Sequence, residues 1–163
     1  MPTPISDSDS DGFRVEFVAI DFETTGYLDG DANEPWQLGA AVVRDGEIAE
    51  TAEWFFGTPA TPDFEPMMEQ WDRFYPYLAG RTLVAHNIAC ERTILTRVAP
   101  LTPWGPWIDT LSLAKKRYPR LPGYTLGELC GMLECTPDMP GRTWHDGLFD
   151  AVACARLALV LGV

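Results

Sequence analysis

The stretch RVEFVAIDFETTG, Arg14 to Gly26, decides how the chain folds. Phe17 to Ile20 is a continuous apolar run and reads as a strand buried on both faces, which belongs in the middle of a sheet. Two carboxylates, Asp21 and Glu23, stand at its end at positions i and i+2. In a strand that spacing points both side chains to one face. Two unpaired like charges there repel and raise each other's pKa. A divalent cation removes that cost, and hard cations such as Mg²⁺ and Mn²⁺ prefer carboxylate oxygens. The commoner meaning of D-x-E is two acids that open an exposed loop, so the pattern does not define a site alone.

Gln37 to Val43 and Glu47 to Phe56 read as two further strands around an Arg44-Asp45-Gly46 turn, a hairpin signal. A helix is expected over Asp63 to Leu78, with Pro66 near its first turn. Arg81 to Ala85 reads as a short strand, and a helix follows from Ile88. Shorter helices are expected over Ile108 to Tyr118 and Thr125 to Leu133, and a long, Ala-rich one over Gly147 to Leu161. The order β-β-β-α-β-α and onward in helices predicts an α/β fold with helices packed on a mixed sheet. Its first three strands form an antiparallel meander, and a later strand returns by a helical crossover.

A chain of 163 residues suggests one domain with a sizeable core, here residues 13–163 behind a flexible acidic tail over 1–12. Four cysteines without a C-x-x-C pair and only two histidines, His86 and His145, argue against a Cys/His zinc site. The thiols read as free and buried, in a reducing compartment. The N-terminus lacks an apolar core and no apolar run is long enough to span a bilayer, so the expectation is a cytoplasmic protein without membrane contact. The net charge of −12 is uneven. Residues 1–80 carry 3 basic and 17 acidic side chains, residues 81–142 carry 8 and 5. Such acidity argues against a protein that coats nucleic acid non-specifically. It leaves room for an enzyme that grips only a chain end through metal ions.

Three more residues attract attention. In VAHNIACERTIL, Val84 to Leu95, Glu91 falls on the apolar stripe made by Ile88, Ile94, Leu95 and Val98, where a solvated glutamate does not belong. Asp150 shares an apolar helix face with Cys154, Leu157 and Leu161. Helix geometry leaves it open whether Asp150 caps the helix or belongs to a site. His145 precedes it by five residues. Gly147 lies between and would let His145 sit in a loop and swing towards the same site, where a proton-transfer role suits it.

The order and local contexts bring in a resemblance. FVAIDFETTG resembles the first motif of the DEDD exonucleases, the superfamily of the proofreading epsilon subunit of bacterial DNA polymerase III. LVAHNIACERTIL resembles the second motif, WIDTLSLAKKRYP and YTLGELCGMLE the segments that follow, and HDGLFDA the third motif, H-x-x-x-x-D-A. The likeness runs from about Val15 to Ala158. Asp146 stands where the tyrosine subgroup has Tyr, so the chain resembles the histidine (DEDDh, DnaQ-like) subgroup.

The resemblance implies a ribonuclease H-like fold with a five-stranded mixed sheet. It implies two divalent cations, Mg²⁺ or Mn²⁺, on Asp21, Glu23 and Asp150, with Glu91 acting mainly through water and His145 as general base. The implied activity is 3′–5′ exonuclease hydrolysis of nucleic-acid 3′ ends, in single-stranded DNA or short RNA, to nucleoside 5′-monophosphates. Thr24, Thr25, Gly26, Tyr27 and Asn87 would hold substrate, and His86 reads as structural. Two departures stand out. Glu91 occupies a position where the family has Asp, and TPATPDF, Thr58 to Phe64, lacks the H-G-I-T-like segment usual before the first helix. The alternative is therefore a binding module on the same fold with a weakened site. Because the sequence stops just after its last helix, no polymerase domain is expected in cis.

Overall fold

The computed structural model describes residues 15–26 and 33–163. Five strands form one mixed sheet: β1 (Phe17–Thr24), β2 (Pro35–Arg44), β3 (Glu47–Phe55), β4 (Leu83–Ala85) and β5 (Trp107–Asp109), in the order β3-β2-β1-β4-β5. β1 is central, antiparallel to β2 and parallel to β4. β2 and β3 pair antiparallel, β4 and β5 parallel. The β2–β3 turn places Asp45 (φ 52°) and Gly46 (φ 77°) in the left-handed region, as a tight hairpin matched to strand twist requires.

Two layers of helix cover the sheet. α1 (Trp71–Leu78) and α2 (Ala89–Val98) lie on one face, over a core that includes Val18, Ile20 and Phe22 of β1. α5 (Gly147–Val160) lies on the other, over Phe17 and Ala19. α3 (Thr110–Arg117) and α4 (Leu126–Met132) pack behind α5, around Ala153, Leu157 and Leu161. α5 is thus walled in on both sides, which is why it is apolar nearly all round. The two-residue period of β1 sends its even-numbered side chains to the first face and its odd-numbered ones to the second. Asp21 and Glu23 therefore continue the row of Phe17 and Ala19, under the start of α5.

How α5 reaches them depends on two glycines. Gly39 pairs with Asp21 across β1 and β2. A Cβ on Gly39 would run into the backbone of Gly147, and one on Gly147 would press at 3.3 Å on the Asp21 carbonyl, the Gln37 side chain and the Gly39 nitrogen. The first turn of α5 rests directly on sheet backbone at the level of Asp21.

The sequence reading needs two corrections. The helix expected from Asp63 begins only with a 3-10 turn over Met67–Gln70 that leads into α1. Pro66 holds Glu65 out of helical geometry, and residues 57–66 form a separate surface segment. Gly57 N–H donates to the Glu65 carbonyl (2.8 Å), and Thr58 and Thr61 bond each other (2.9 Å). Second, Trp107–Asp109 is strand β5, not helix. Asp109 ends it and caps α3 by accepting from Leu111 N–H at 3.0 Å. The expected tail over 1–12 lies outside the described residues.

Gly39→Ala is expected to lower stability by about 3 kcal/mol, because backbone faces backbone and neither side can retreat. A thermal melt within a degree or so of wild type would contradict this account of α5.

Candidate active site

Each carboxylate comes from a different wall. Asp21 and Glu23 end β1, Glu91 enters from the first turn of α2, and Asp150 from the first turn of α5. Oxygen or nitrogen atoms of Glu23, His145 and Asp150 all lie within 4.8 Å of one another. Asp21 hydrogen-bonds Glu23, and its carboxyl feels Glu91, then Asp150, then Glu23. The five residues singled out from sequence therefore meet at one end of the sheet.

Electrostatically the cluster is an overload of negative charge. Burial pushes Asp21 well above the usual carboxylate range, and its three acidic neighbours push it further. Burial also raises Glu23, against the pull of His145 and the Asp21 hydrogen bond. Glu91, 4% exposed, is pushed up to about 7 by burial, although the N–H groups of Glu91 and Phe22 pull it back. Asp150 rises to about 6, again by burial first, opposed by the His145 N–H. Glu91 Oε2 and Asp150 Oδ1 are buried without a hydrogen-bond partner among the described residues. Buried polar atoms are rarely left so. Raised carboxyls, two orphaned oxygens and a hard-oxygen donor set fit divalent cations well.

Asp150 is not the cap that helix geometry left open. That role belongs to Asp146, whose Oδ1 accepts from Leu148 N–H (3.0 Å) and Phe149 N–H (3.2 Å). Asp150 is free to take the His145 N–H at 3.1 Å and turn its other oxygen inward. The left-handed residue before α5 is His145 itself (φ 67°), so the expected hinge at Gly147 is replaced by a strained histidine and a glycine that serves close packing.

His86 is held at both ring nitrogens, Nδ1 to Thr110 Oγ1 (2.9 Å) and Nε2 to the Tyr124 carbonyl (2.8 Å), a structural tie between β4 and the α4 approach. Asn87 (φ 65°) donates its N–H to Asp109 Oδ1 at 2.8 Å. Thr24 and Thr25 follow Glu23 directly. Thr25 N–H donates to the Glu34 carbonyl and Gly26 N–H to Asn33 Oδ1, both at 2.9 Å. Tyr27 lies outside the described residues. Sequence reasoning missed Gln37, Glu53 and Arg142. Gln37, an amide inside an apolar strand and only 2% exposed, was the available signal.

Over 162 aligned residues the chain is 31% identical to the PolC-type DNA polymerase III of Halalkalibacterium halodurans, a match covering 87% of this chain and 11% of that one. It is 27% identical to the 3′-5′ exonuclease DinG of Bacillus subtilis over 82% of this chain and 16% of that one. Among solved structures, Exonuclease X in complex with 5′ overhanging duplex DNA matches with a TM-score of 0.67 at 25% identity, over 89% of this chain and 90% of that one. These likenesses are consistent with a DnaQ-like 3′-5′ exonuclease. The nuclease domain of 3′hExo, a DEDDh family member bound to rAMP, shares the ribonuclease H-like fold at 17% identity, with a TM-score of 0.72 over 92% of each chain. No family model matches the chain. The chain spans well under a fifth of the length of these two curated relatives.

In this chain the raised carboxyls set the sign of the pH dependence without metal. Glu91 moves from an ordinary value of 4.5 to about 7 on folding. Its stabilising contribution is full below about pH 4.5 and is lost as pH climbs through about 7, by about 3 kcal/mol. Thermal melts of chelator-treated protein should fall from about pH 5 to about pH 8, and Mn²⁺ should restore them most at the higher pH. Glu91→Gln should flatten the profile and melt above wild type at about pH 8. A metal-free profile that rises over this range would refute the assignment.

Proposed function

We propose that the chain is a metal-dependent 3′–5′ exonuclease, cutting nucleoside 5′-monophosphates from the 3′ ends of DNA or short RNA. The observation that carries this reading is the meeting of Asp21, Glu23, Glu91, Asp150 and His145, with two buried carboxylate oxygens left without partners. Asp21, Glu23 and Asp150 would hold two divalent cations, Mg²⁺ or Mn²⁺, with Glu91 reaching them through water. When bound, such ions supply Lewis-acid stabilisation of the charge that develops on the attacking and leaving oxygens.

The remaining chemistry belongs to the chain. His145, exposed on its loop, takes a proton from the attacking water on an imidazole nitrogen. The water oxygen bonds to phosphorus as the bond to the 3′ oxygen of the preceding nucleotide breaks. Asp150 fixes the His145 backbone through its hydrogen bond, so base and carboxylates keep one register. Thr24, Thr25, Gly26 and Asn87 border this end of the sheet and would orient the terminal nucleotide. Asn87 is itself oriented by Asp109.

Glu91 is one methylene longer than the aspartate usual at this position in the family. The reading holds that its α2 backbone absorbs the difference. Hydrolysis of the p-nitrophenyl ester of thymidine 5′-monophosphate with Mn²⁺ or Mg²⁺ tests the proposal. Wild type should turn over, Asp21→Ala should not, and Glu91→Gln should lose about 100-fold where Glu91→Asp stays within about 10-fold. Wild-type rates equal to the Asp21→Ala blank with both metals would make the chain a binding module instead. Single-stranded DNA, duplex DNA and short RNA, compared side by side, would then fix the substrate.

A further inference from the structure

Arg142 lies four residues before Asp146 and reaches both helix and sheet. Its Nη1 donates to Asp146 Oδ1 (2.9 Å) and Oδ2 (3.1 Å) and to Glu53 Oε2 (2.8 Å), while its Nη2 pairs with Glu53 Oε1. Gln37 completes the cluster from β2. Its Nε2 donates to Glu53 Oε2 (3.2 Å) and Asp146 Oδ1 (3.4 Å), and its Oε1 accepts the Gly147 N–H at 2.9 Å. Gln37 is buried, and Arg142, Glu53 and Asp146 are each about a quarter to a third exposed. β3 is thus fastened through the guanidinium, and β2 through the Gln37 amide, to the residue that follows His145.

His145 needs such fastening. A histidine at φ 67° keeps that conformation only where its neighbours over-determine it. On its N-terminal side, Trp144 is wedged edge-on against Phe149, with ring centroids 4.9 Å apart. On its C-terminal side the holds are Asp146 and the Asp150 carboxylate, which accepts the His145 N–H. Without the guanidinium, the Glu53 and Asp146 carboxylates would face each other across one amide and repel. The strand would not move, so the loop would.

We propose that Arg142 is a positioning residue for His145, anchored on the sheet through Glu53. It holds the imidazole where an attacking water meets it, and it does not contact the nucleic acid. The proposal rests on the nuclease reading for its catalytic consequence, but the ordering of His145 can be observed without turnover.

The kinetic test uses the p-nitrophenyl ester with Mn²⁺. Arg142→Ala should lower kcat about 30- to 100-fold, in line with a displacement of about 1 Å, and change KM less than about 2-fold. In a His145→Ala background the same substitution should cost less than about 2-fold, since nothing is left to position. An equal loss in both backgrounds, or a rise in KM at constant kcat, would overturn the proposal. The second would make Arg142 a substrate contact. Proton–carbon NMR of the two imidazoles gives the independent readout. Arg142→Ala should shift or broaden the His145 resonance and leave that of His86, fixed by Thr110 and Tyr124, unchanged. An unmoved His145 signal would refute the positioning role, whatever the activity. An inert wild type would sink the nuclease reading and leave the NMR comparison to decide this one. Arg142→Lys keeps one charge but lacks the planar fork. It should show the same signature at about 10-fold loss, and it serves if the alanine variant fails to fold.

Discussion

Four carboxyl groups held against one another in a half-dry pocket are the constraint that the rest of the molecule must satisfy. Each is unfavourable by burial, and Asp21 is further disfavoured by its acidic neighbours. A flexible scaffold would relieve the strain by letting them drift apart or reach water. This one denies the first. β1 is flanked by strands on both sides, and α5 is pressed on sheet backbone at Gly39. α2 is anchored by Ile94 and Leu95 in the opposite core. The apolar layers thus act as a vice, and the hydrophobic term of folding holds together charges that would otherwise separate.

The hydrogen-bond pattern around the cluster has the same logic. Backbone N–H groups of Phe22 and His145 each meet a carboxylate, but each leaves at least one oxygen bare. Enough partners are present to aim the side chains, and too few to satisfy them. Nearby, the opposite choice is made. Asp146 and Glu53 are saturated by Arg142, Gln37 and helix N–H groups. One set of acids is kept hungry for cations, and the adjacent set is satisfied on the spot.

Much of this could be read from the sequence. The alternation in β1 placed Asp21 and Glu23 together, because a period of two leaves no freedom. Glu91 and Asp150 were visible as charges on apolar helix faces. What sequence could not supply was pairing at a distance. β5 is three residues long and was absorbed into the helix after it, since a short Trp-Ile-Asp run carries no period of its own. The Arg142 cluster joins residues 89 and 109 positions apart, and none of them forms a pattern locally. Asp146 was read only for the tyrosine it replaces, though it carries the cap. The hinge expected at Gly147 falls instead on His145, though glycine is the residue type that usually takes a positive φ.

The segment over residues 57–66 stands apart from this economy. It is tied to itself by the Thr58–Thr61 bonds and the Gly57–Glu65 bond, and to its immediate neighbours at Phe56, Gln70 and Arg73. Nothing in the acidic cluster leans on it. It is therefore the part of the chain most open to insertion, exchange or drift, whereas a change in α5 is felt in two cores at once. A lineage, or an engineer, can rewrite this segment without disturbing the acidic cluster. The fold separates what must be conserved from what can be varied.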